Sequence, residues 1–593
     1  MTDHEPSSGP APGPAPEPAP TETGVTPHRG DGRDRLFRGY GPLIGFTALF
    51  LAVAVLVPSQ QREVRIEPIG SEELADATRR ANGGAGDDAL SAEGVDVAGI
   101  SEDALGDASG AEGVDGGADG AGAAGGAAAG GAAAAGPANV AGCADRPLQI
   151  PGDPYSPPCM TFSGGNGGAT APGVTDGTVR VSVRIGSFAN GMLDALSKVA
   201  KAQIPDESPE VIVRTVEGLT EYFNRTYQMY GRKLDVTIYN GKGDVLKETT
   251  GGGQEGAEAD ALRVSQEIKA FADISAVSPI YADALARRGV INIGAPFMSR
   301  EWLSQRRPYT WSQFTDCTTI VESVGSYYAT KMANGTADNA AGPLKGQPRK
   351  VGIIAPENSW YQECVAGGVR ILNAAGVQPV LNEKYRLEVN QMSIQAGEKL
   401  AKLKNAGVTT VMCGCDPLFL TFLTAKAKEQ NYDPEWLITG VALIDNDLIG
   451  SIMEPGQWSR AFGVSFSGPA QPAGRSLGYR AYKAVRRDEP SFAVDLIYNQ
   501  LQLLAIGIQM AGPDLNPATF EQGMFRYPSR SGPSGTWGFK PGDHSTSDDA
   551  REVIWNPRGT SVQTRNPGTY VDPNGGRRFP IGKWPAGPPR AAG

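Results

Sequence analysis

From Val351 to Gly440 short apolar runs alternate with longer stretches of helical periodicity. VGIIAPE is a strand candidate, and SWYQECVAGGVRILNAAG places Val365, Val369 and Leu372 at helical spacing. QPVLNEKY, VTTVMCG and EWLITG predict three further strands, separated by the helical stretches MSIQAGEKLAKLKNAG and TFLTAKAKEQ. An earlier half repeats the pattern. There the strands are VRVSVRIG (Val179 to Gly186), KLDVTIYN, ISAVSP and VINIGAP. The helices between them are Pro209 to Tyr227, Glu258 to Phe271 and ADALARRG. WSQFTDCTTIVESVGSYYATKM predicts a helix feeding the second half. Gln471–Val485 and Asp495–Ala511 predict late helices, and SGTWGFKPGD and YVDPNGGRRFPIGKWP terminal hairpins. This alternation predicts an α/β protein with parallel sheets covered by helices. Such sheets bind ligands beyond the carboxyl ends of their strands.

Composition changes the picture only before residue 173. Residues 1–40 are rich in Pro, Ala and charge, and within a Gly/Ala/Asp-rich linker over residues 58–172 the stretch near 80 to 142 is dominated by Gly, Ala and Asp. Neither buries enough apolar surface to offset ordering entropy, so both are expected to be disordered. Between them GPLIGFTALFLAVAVLV, residues 41–57, is apolar and uncharged. About seventeen residues is the lower limit for a membrane-spanning helix. A cleaved signal peptide is the alternative, but the run is long and no A-x-A site follows it. A retained transmembrane anchor is expected. Arg29, Arg33, Arg35 and Arg38 precede it and Arg62 and Arg65 follow, which orients the amino terminus to the cytoplasm and the folded region outside. The linker then tethers the folded region at a distance on the order of 50 Å.

All 6 cysteines lie on the predicted outer side. Structural disulfides are expected there. A Cys143–Cys159 loop around ADRPLQIPGDPYSPP and a Cys364–Cys413 pair are the plausible bonds, although six cysteines leave connectivity open. The net charge of −11 and the absence of a basic stripe with interleaved aromatics argue against nucleic acid. Of 3 histidines only His544 lies in the folded region. Without a second histidine, a G-x-S-x-G elbow or a Walker A loop, the chain lacks the parts of a serine hydrolase, a histidine metal site or an ATPase. No enzymatic activity, cofactor or metal is expected.

GVTDGTVRVSVRIG, GLTEYFNRTYQMYGRKLDVTIYN, AVSPIYADALARRGVINIGAP, PYTWSQFTDCTTIVESVGSYYA, NSWYQECVAGGVRILNAAGVQPV and PSGTWGFKPGD occur in that order. Together they resemble the type I periplasmic (solute) binding proteins of ABC transporters, in the leucine and branched-chain amino acid-binding branch. The resemblance runs from about Gly173 to Pro585. It implies two Rossmann-like lobes joined by three crossovers and closing on a ligand by a hinge. Lobe 1 would comprise residues 173–310 and about 466–535, lobe 2 residues 311–465 and about 536–556, with 557–593 as a carboxyl-terminal hairpin and tail.

The resemblance also places the binding residues. Ser278 stands in the serine-bearing loop of the first lobe, and Phe297, Met298 and Ser299 in the next strand-end loop. Tyr361 matches the tyrosine that covers the ligand from the second lobe. Asp416, beside Cys415, ends a second-lobe strand, while Ser187 and Phe188 end the first strand and Tyr239 the second. Each has a structural alternative: Ser278 and Asp416 as helix caps, Tyr361 and Trp360 as packing, Ser359 with Gln362 as a capping box. Family members that bind amino acids hold the ammonium with an acidic residue, and that position here is Ala442, with Asp445 and Asp447 shifted. A buried ammonium needs a carboxylate partner, so a free amino acid is a doubtful ligand.

The expected function is a membrane-anchored extracytoplasmic receptor that delivers a small molecule, an amino acid or amino acid-like compound whose identity the sequence leaves open, to separate ABC permease and ATPase subunits. The alternatives are a ligand-sensing ectodomain for a partner signalling protein, and a cell-envelope assembly protein that reuses the fold without a ligand.

Overall fold

The computed structural model describes residues 147–160, 162–185 and 208–589. The expected cytoplasmic head, the apolar segment 41–57, Cys143, Ser187 and Phe188 lie outside the described residues. Among the described residues no helix is long and apolar enough to cross a membrane.

Two parallel sheets form, as the alternation predicts. The first contains β1 (Thr178–Ile185), β2 (Lys233–Asn240), β3 (Ala272–Ala276), β4 (Ile291–Gly294) and β5 (Thr310–Trp311). Its order is β2-β1-β3-β4-β5. The second begins with β6 (Val351–Pro356), β7 (Leu381–Tyr385), β8 (Thr410–Cys413), β9 (Glu435–Ile438) and β10 (Ala461–Ser465). These follow the same order, β7-β6-β8-β9-β10, all parallel. In each sheet the order reverses beside the first strand, which puts the switch points, where such folds hold ligands, at the carboxyl ends of β1/β3 and β6/β8.

A small hairpin, β11 (Arg530–Gly532) and β12 (Gly535–Trp537), precedes β13 (Asp549–Thr560). β13 pairs antiparallel with β10 and extends the second sheet through β14 (Pro567–Val571) and β15 (Arg578–Pro580). The strand therefore continues through residue 557, and the segment read as a tail packs: Trp584 is buried against Tyr327 and Phe579 in the second core.

Helix ends follow ordinary capping rules. Ser208 caps the Pro209–Thr226 helix by accepting from the Val211 N–H, with Pro209 at the first helical position. The Val494–Ala511 helix is buried on nearly every side, mostly by apolar residues but with Gln502 and Gln509 among the buried ones. It returns to the first sheet after the chain has built most of the second, packing on the Pro209–Thr226 helix and on β3 and β4.

Its outer face is covered by residues that the sequence places in the linker. The Asp153 carboxylate accepts from the Tyr498 hydroxyl at 2.6 Å and from the Gln502 amide. Gln509 donates to the Gln149 side chain at 2.9 Å. Ile150 and Tyr155 join the first core. IPGDPYSPP has neither helical nor strand periodicity, so no sequence pattern marks it as ordered; docking side chains fix it.

The disulfides also differ from expectation. Cys317 bonds Cys364, joining the Cys317–Lys331 helix to the neighbouring Ser359–Ala374 helix, and Cys413 bonds Cys415 across one residue. Cys364 therefore pairs with the preceding helix rather than with the strand end at Cys413. Cys159 is disulfide-bonded. Ser359 forms no capping box: Asn358 occupies the cap position without a side-chain bond to the helix, and Gln362 donates to the Pro356 carbonyl at 2.6 Å.

Candidate functional site

The chain crosses between the sheets after β5, after β10 and before β13, and these three crossovers are stitched together. The Ser312 N–H donates to the His544 carbonyl at 2.9 Å, and Thr546 Oγ1 donates to the Gln313 carbonyl at 2.7 Å. Arg551 Nε donates to the Ser467 carbonyl at 2.8 Å, and Arg578 Nη2 to the Phe466 carbonyl at 3.0 Å. Above this hinge the strand ends of the two lobes meet. Asn358 of the second lobe donates to the Thr250 carbonyl of the first at 3.0 Å. Tyr361 packs against both the second-lobe core and the small core behind β3 and β4.

On the first-lobe side the sequence puts an arginine at an inward position of β1. Arg184 is buried, and its guanidinium donates to both Glu248 oxygens at 2.8 Å and to Asp260 at 3.1 Å. It also lies 3.7 Å over the Tyr281 ring. Ser278 is fully buried here. Its hydroxyl donates to Glu248 and accepts from the Tyr281 N–H at 3.2 Å, capping the Pro279–Arg287 helix. The Tyr239 hydroxyl is 2.7 Å from that of Tyr281, which donates to Asp273 at 3.0 Å. Burial raises the Asp273 carboxyl and the Tyr239 hydroxyl above their ordinary values.

The loop after β4 carries two non-glycine residues in the left-handed region, Ala295 at φ 42° and Phe297 at φ 60°. Such strain persists where surrounding structure enforces it, and it clusters at ligand clamps. Phe297 is buried with its ring 5.4 Å from that of Phe314. The Met298 carbonyl accepts from the Cys317 N–H at 3.0 Å, tying this loop to the first crossover. Ser299 caps the Arg300–Ser304 helix by accepting from the Trp302 N–H at 3.0 Å.

On the second-lobe side the loop after β9 repeats the strain, with Gly440 at φ 72°, Ala442 at φ 51° and Leu443 at φ 60°. Asp416 caps the Pro417–Glu429 helix and accepts from the Phe419 N–H at 2.8 Å and the Tyr385 hydroxyl at 2.6 Å. Burial pushes its carboxyl up to about 6, and pushes the Tyr361 hydroxyl up to about 12. Asp445 holds the second crossover by accepting from Ser465 Oγ at 2.7 Å and the Phe466 and Ser467 N–H groups at 3.1 Å. Asp447 holds β14 through Thr569 and the Tyr570 N–H, each at 2.8 Å.

The fold thus brings Tyr239, Ser278, Phe297, Met298 and Ser299 to the first-lobe face and Tyr361 and Asp416 to the second. The polar atoms of Tyr239, Ser278, Ser299 and Asp416 already bond within their own lobes, so the capping alternatives for Ser278 and Asp416 describe this conformation. Sequence reasoning missed Arg184 and Glu248. The available signal was a charge two residues after Ser182 on an alternating strand otherwise rich in valine.

Residues 210–560 match the periplasmic binding protein family, and the chain belongs to it. No curated protein sequence matches the chain. Among solved structures, an ABC-transporter substrate-binding protein from Aeropyrum pernix aligns at 14% identity and a TM-score of 0.48, covering 68% of this chain and 96% of its own. A Rhodopseudomonas palustris solute-binding protein in complex with 3,4-dihydroxybenzoic acid aligns at 13% and 0.48, covering 68% and 98%. The Streptococcus pneumoniae branched-chain amino acid transporter binding protein in complex with isoleucine aligns at 15% and 0.44, covering 67% and 100%.

Proposed function

We propose that the protein is a membrane-anchored extracytoplasmic receptor that captures a small molecule between its hinged lobes and delivers it to an ABC-type importer. Tyr361 carries this reading: its ring sits where the strand ends of both lobes meet and packs on a core from each. A ligand entering there would touch both lobes, so its binding would favour the closed arrangement. The two strained loops, after β4 and after β9, support the same location.

The solute is not a free amino acid in this proposal. The family resemblance assigns Ala442 to the position of the acidic side chain that would hold the ammonium, and Asp416, Asp445 and Asp447 are committed to a cap, a crossover and a strand. A second reading, an envelope assembly protein with a self-filled cleft, is favoured by the internal bonding of Ser278, Ser299 and Asp416.

Thermal unfolding of the full chain against amino acids, amides, aromatic acids, sugars and short peptides separates the two. A ligand at a hundredfold excess over its Kd adds about 2.7 kcal/mol to stability. The receptor reading expects one class to raise the midpoint and Tyr361→Ala to abolish the rise. No response across the library, with the protein folded, supports the assembly role instead.

A further inference from the structure

The three crossovers enclose a partly open cavity of about 60 Å3. Phe297, Phe314, Leu443, Phe466, Leu496 and Trp537 wall it, so every crossover and both lobes contribute. None of its lining residues is charged. Gln313, from the first crossover, lines it too, and both atoms of the Gln313 amide are buried without a hydrogen-bond partner. The backbone of Gln313 is held by the bond from Thr546 to its carbonyl, which anchors the residue in the cavity wall. Buried amides are almost always paired, because a lost hydrogen bond is not recovered elsewhere.

A glutamine side chain presents a donor and an acceptor along one edge. That edge pairs twice with a primary amide or a lactam, which presents the same two groups reversed. A carboxylate offers only acceptors and an ammonium only donors, so each satisfies half of it. A charged group would also enter without a counter-ion, at high desolvation cost. The volume exceeds the roughly 10–15 Å3 that one water needs and falls short of the ~150 Å3 cavity that takes benzene. It therefore suits the end of a ligand whose remainder lies in the cleft above.

We infer that this hinge cavity is a specificity pocket for an uncharged amide or lactam group, paired to the Gln313 side chain and packed between Phe297, Phe314, Phe466 and Trp537. This rests on the solute-receptor reading and names the ligand class for it. Because the walls come from all three crossovers, an occupant also favours the hinge angle seen here.

Calorimetry and thermal unfolding of the full chain with acetamide, 2-pyrrolidone, benzamide, benzoate and L-leucine test it. The expected result is that the amide and lactam probes bind and raise the midpoint, while benzoate and leucine do neither. Gln313→Met, which keeps the length and removes both donor and acceptor, is expected to weaken benzamide at least tenfold. Gln313→Leu is expected to abolish amide preference and leave the unliganded protein at least as stable, because it removes an unpaired buried amide. Benzoate or leucine binding as well as benzamide overturns the inference, and so does an amide preference that survives Gln313→Met. A Tyr361-dependent ligand from the wider library, with no response to any amide, overturns the inference and leaves the receptor reading standing. No ligand of any kind overturns both.

Discussion

Tyr155 stacks on Trp537 with ring centroids 4.1 Å apart. The pair joins the segment where the chain enters its folded region to the hairpin at the third crossover. The Tyr155 hydroxyl donates to the Gly535 carbonyl at 2.9 Å, and Tyr527 donates to the Tyr155 carbonyl at 2.7 Å. Trp537 also walls the hinge cavity. The entering segment is thus fixed to the first lobe and to one of the strands on which the lobes turn.

Tyr155→Ala is expected to destabilise the protein by about 3–5 kcal/mol, the cost of emptying a large buried aromatic site. Tyr155→Phe keeps the stack and loses one hydrogen bond, which costs about 1 kcal/mol. Denaturant unfolding measures both. Equal, small losses would mean that residues 147–160 do not hold the lobe.

Arg184→Met should cost about 3–5 kcal/mol, because it leaves Glu248 and Asp260 buried without their counter-charge. Glu248 is also the acceptor for Ser278. The Pro279–Arg287 helix is therefore expected to lose protection at its first turn, read by hydrogen exchange. A loss confined to β1 would place Ser278 outside the network.

The strands and most helices were legible because their signals are local. Every residue of β6 is buried, and VGIIAP reads as an unbroken apolar run. The Ser208-Pro209 pair marks a helix start without reference to anything distant. Residues 147–160 were not legible, because their order comes from Tyr498, Gln502 and Gln509, more than 300 positions away. The Cys317–Cys364 bond was missed for a similar reason. It depends on two helices lying side by side, and sequence does not show which neighbours touch. At the candidate site the chain positions of Tyr361 and Phe297 could be read, but not the pairing of Ser278 with Glu248 or the unpaired amide of Gln313. The first depends on how the helices of the first lobe pack, the second on how the three crossovers come together.

Stability should fall as pH rises from about 4 to 8. Burial pushes the carboxyls of Asp153 and Asp416 up to about 6, Asp495 to about 7 and Asp543 to about 8. Unfolded, each titrates near 3.9. The folded state therefore binds more protons across this window, and the favourable term is complete below about 4 and lost as pH passes each folded value. His544, held below its ordinary value by burial, opposes the trend below about 6.5. Unfolding midpoints measured from pH 5 to 8 should decline by several degrees. Asp495→Asn keeps the acceptor for the Gly478 N–H and should flatten the upper part of the curve. A midpoint that rises with pH contradicts the assignment.

The two disulfides should differ in energetic weight. Cys317–Cys364 spans 47 residues and Cys413–Cys415 spans 2. Loop-closure entropy assigns about 4 kcal/mol to the former, whereas the latter closes a segment already confined by the chain. The longer bond also locks the first crossover helix, which begins at Cys317, to the helix that carries Tyr361. Cys317→Ala with Cys364→Ala is therefore expected to lower stability by about 4 kcal/mol, and to weaken binding of any solute that needs Tyr361 held in place. Cys413→Ala with Cys415→Ala should cost about 1 kcal/mol. Paired denaturant titrations and ligand titrations of the two double variants make the comparison. If both variants lose the same stability, chain entropy is not what the longer bond supplies. If the first loses stability while binding is unchanged, the position of Tyr361 does not depend on the crossover helix.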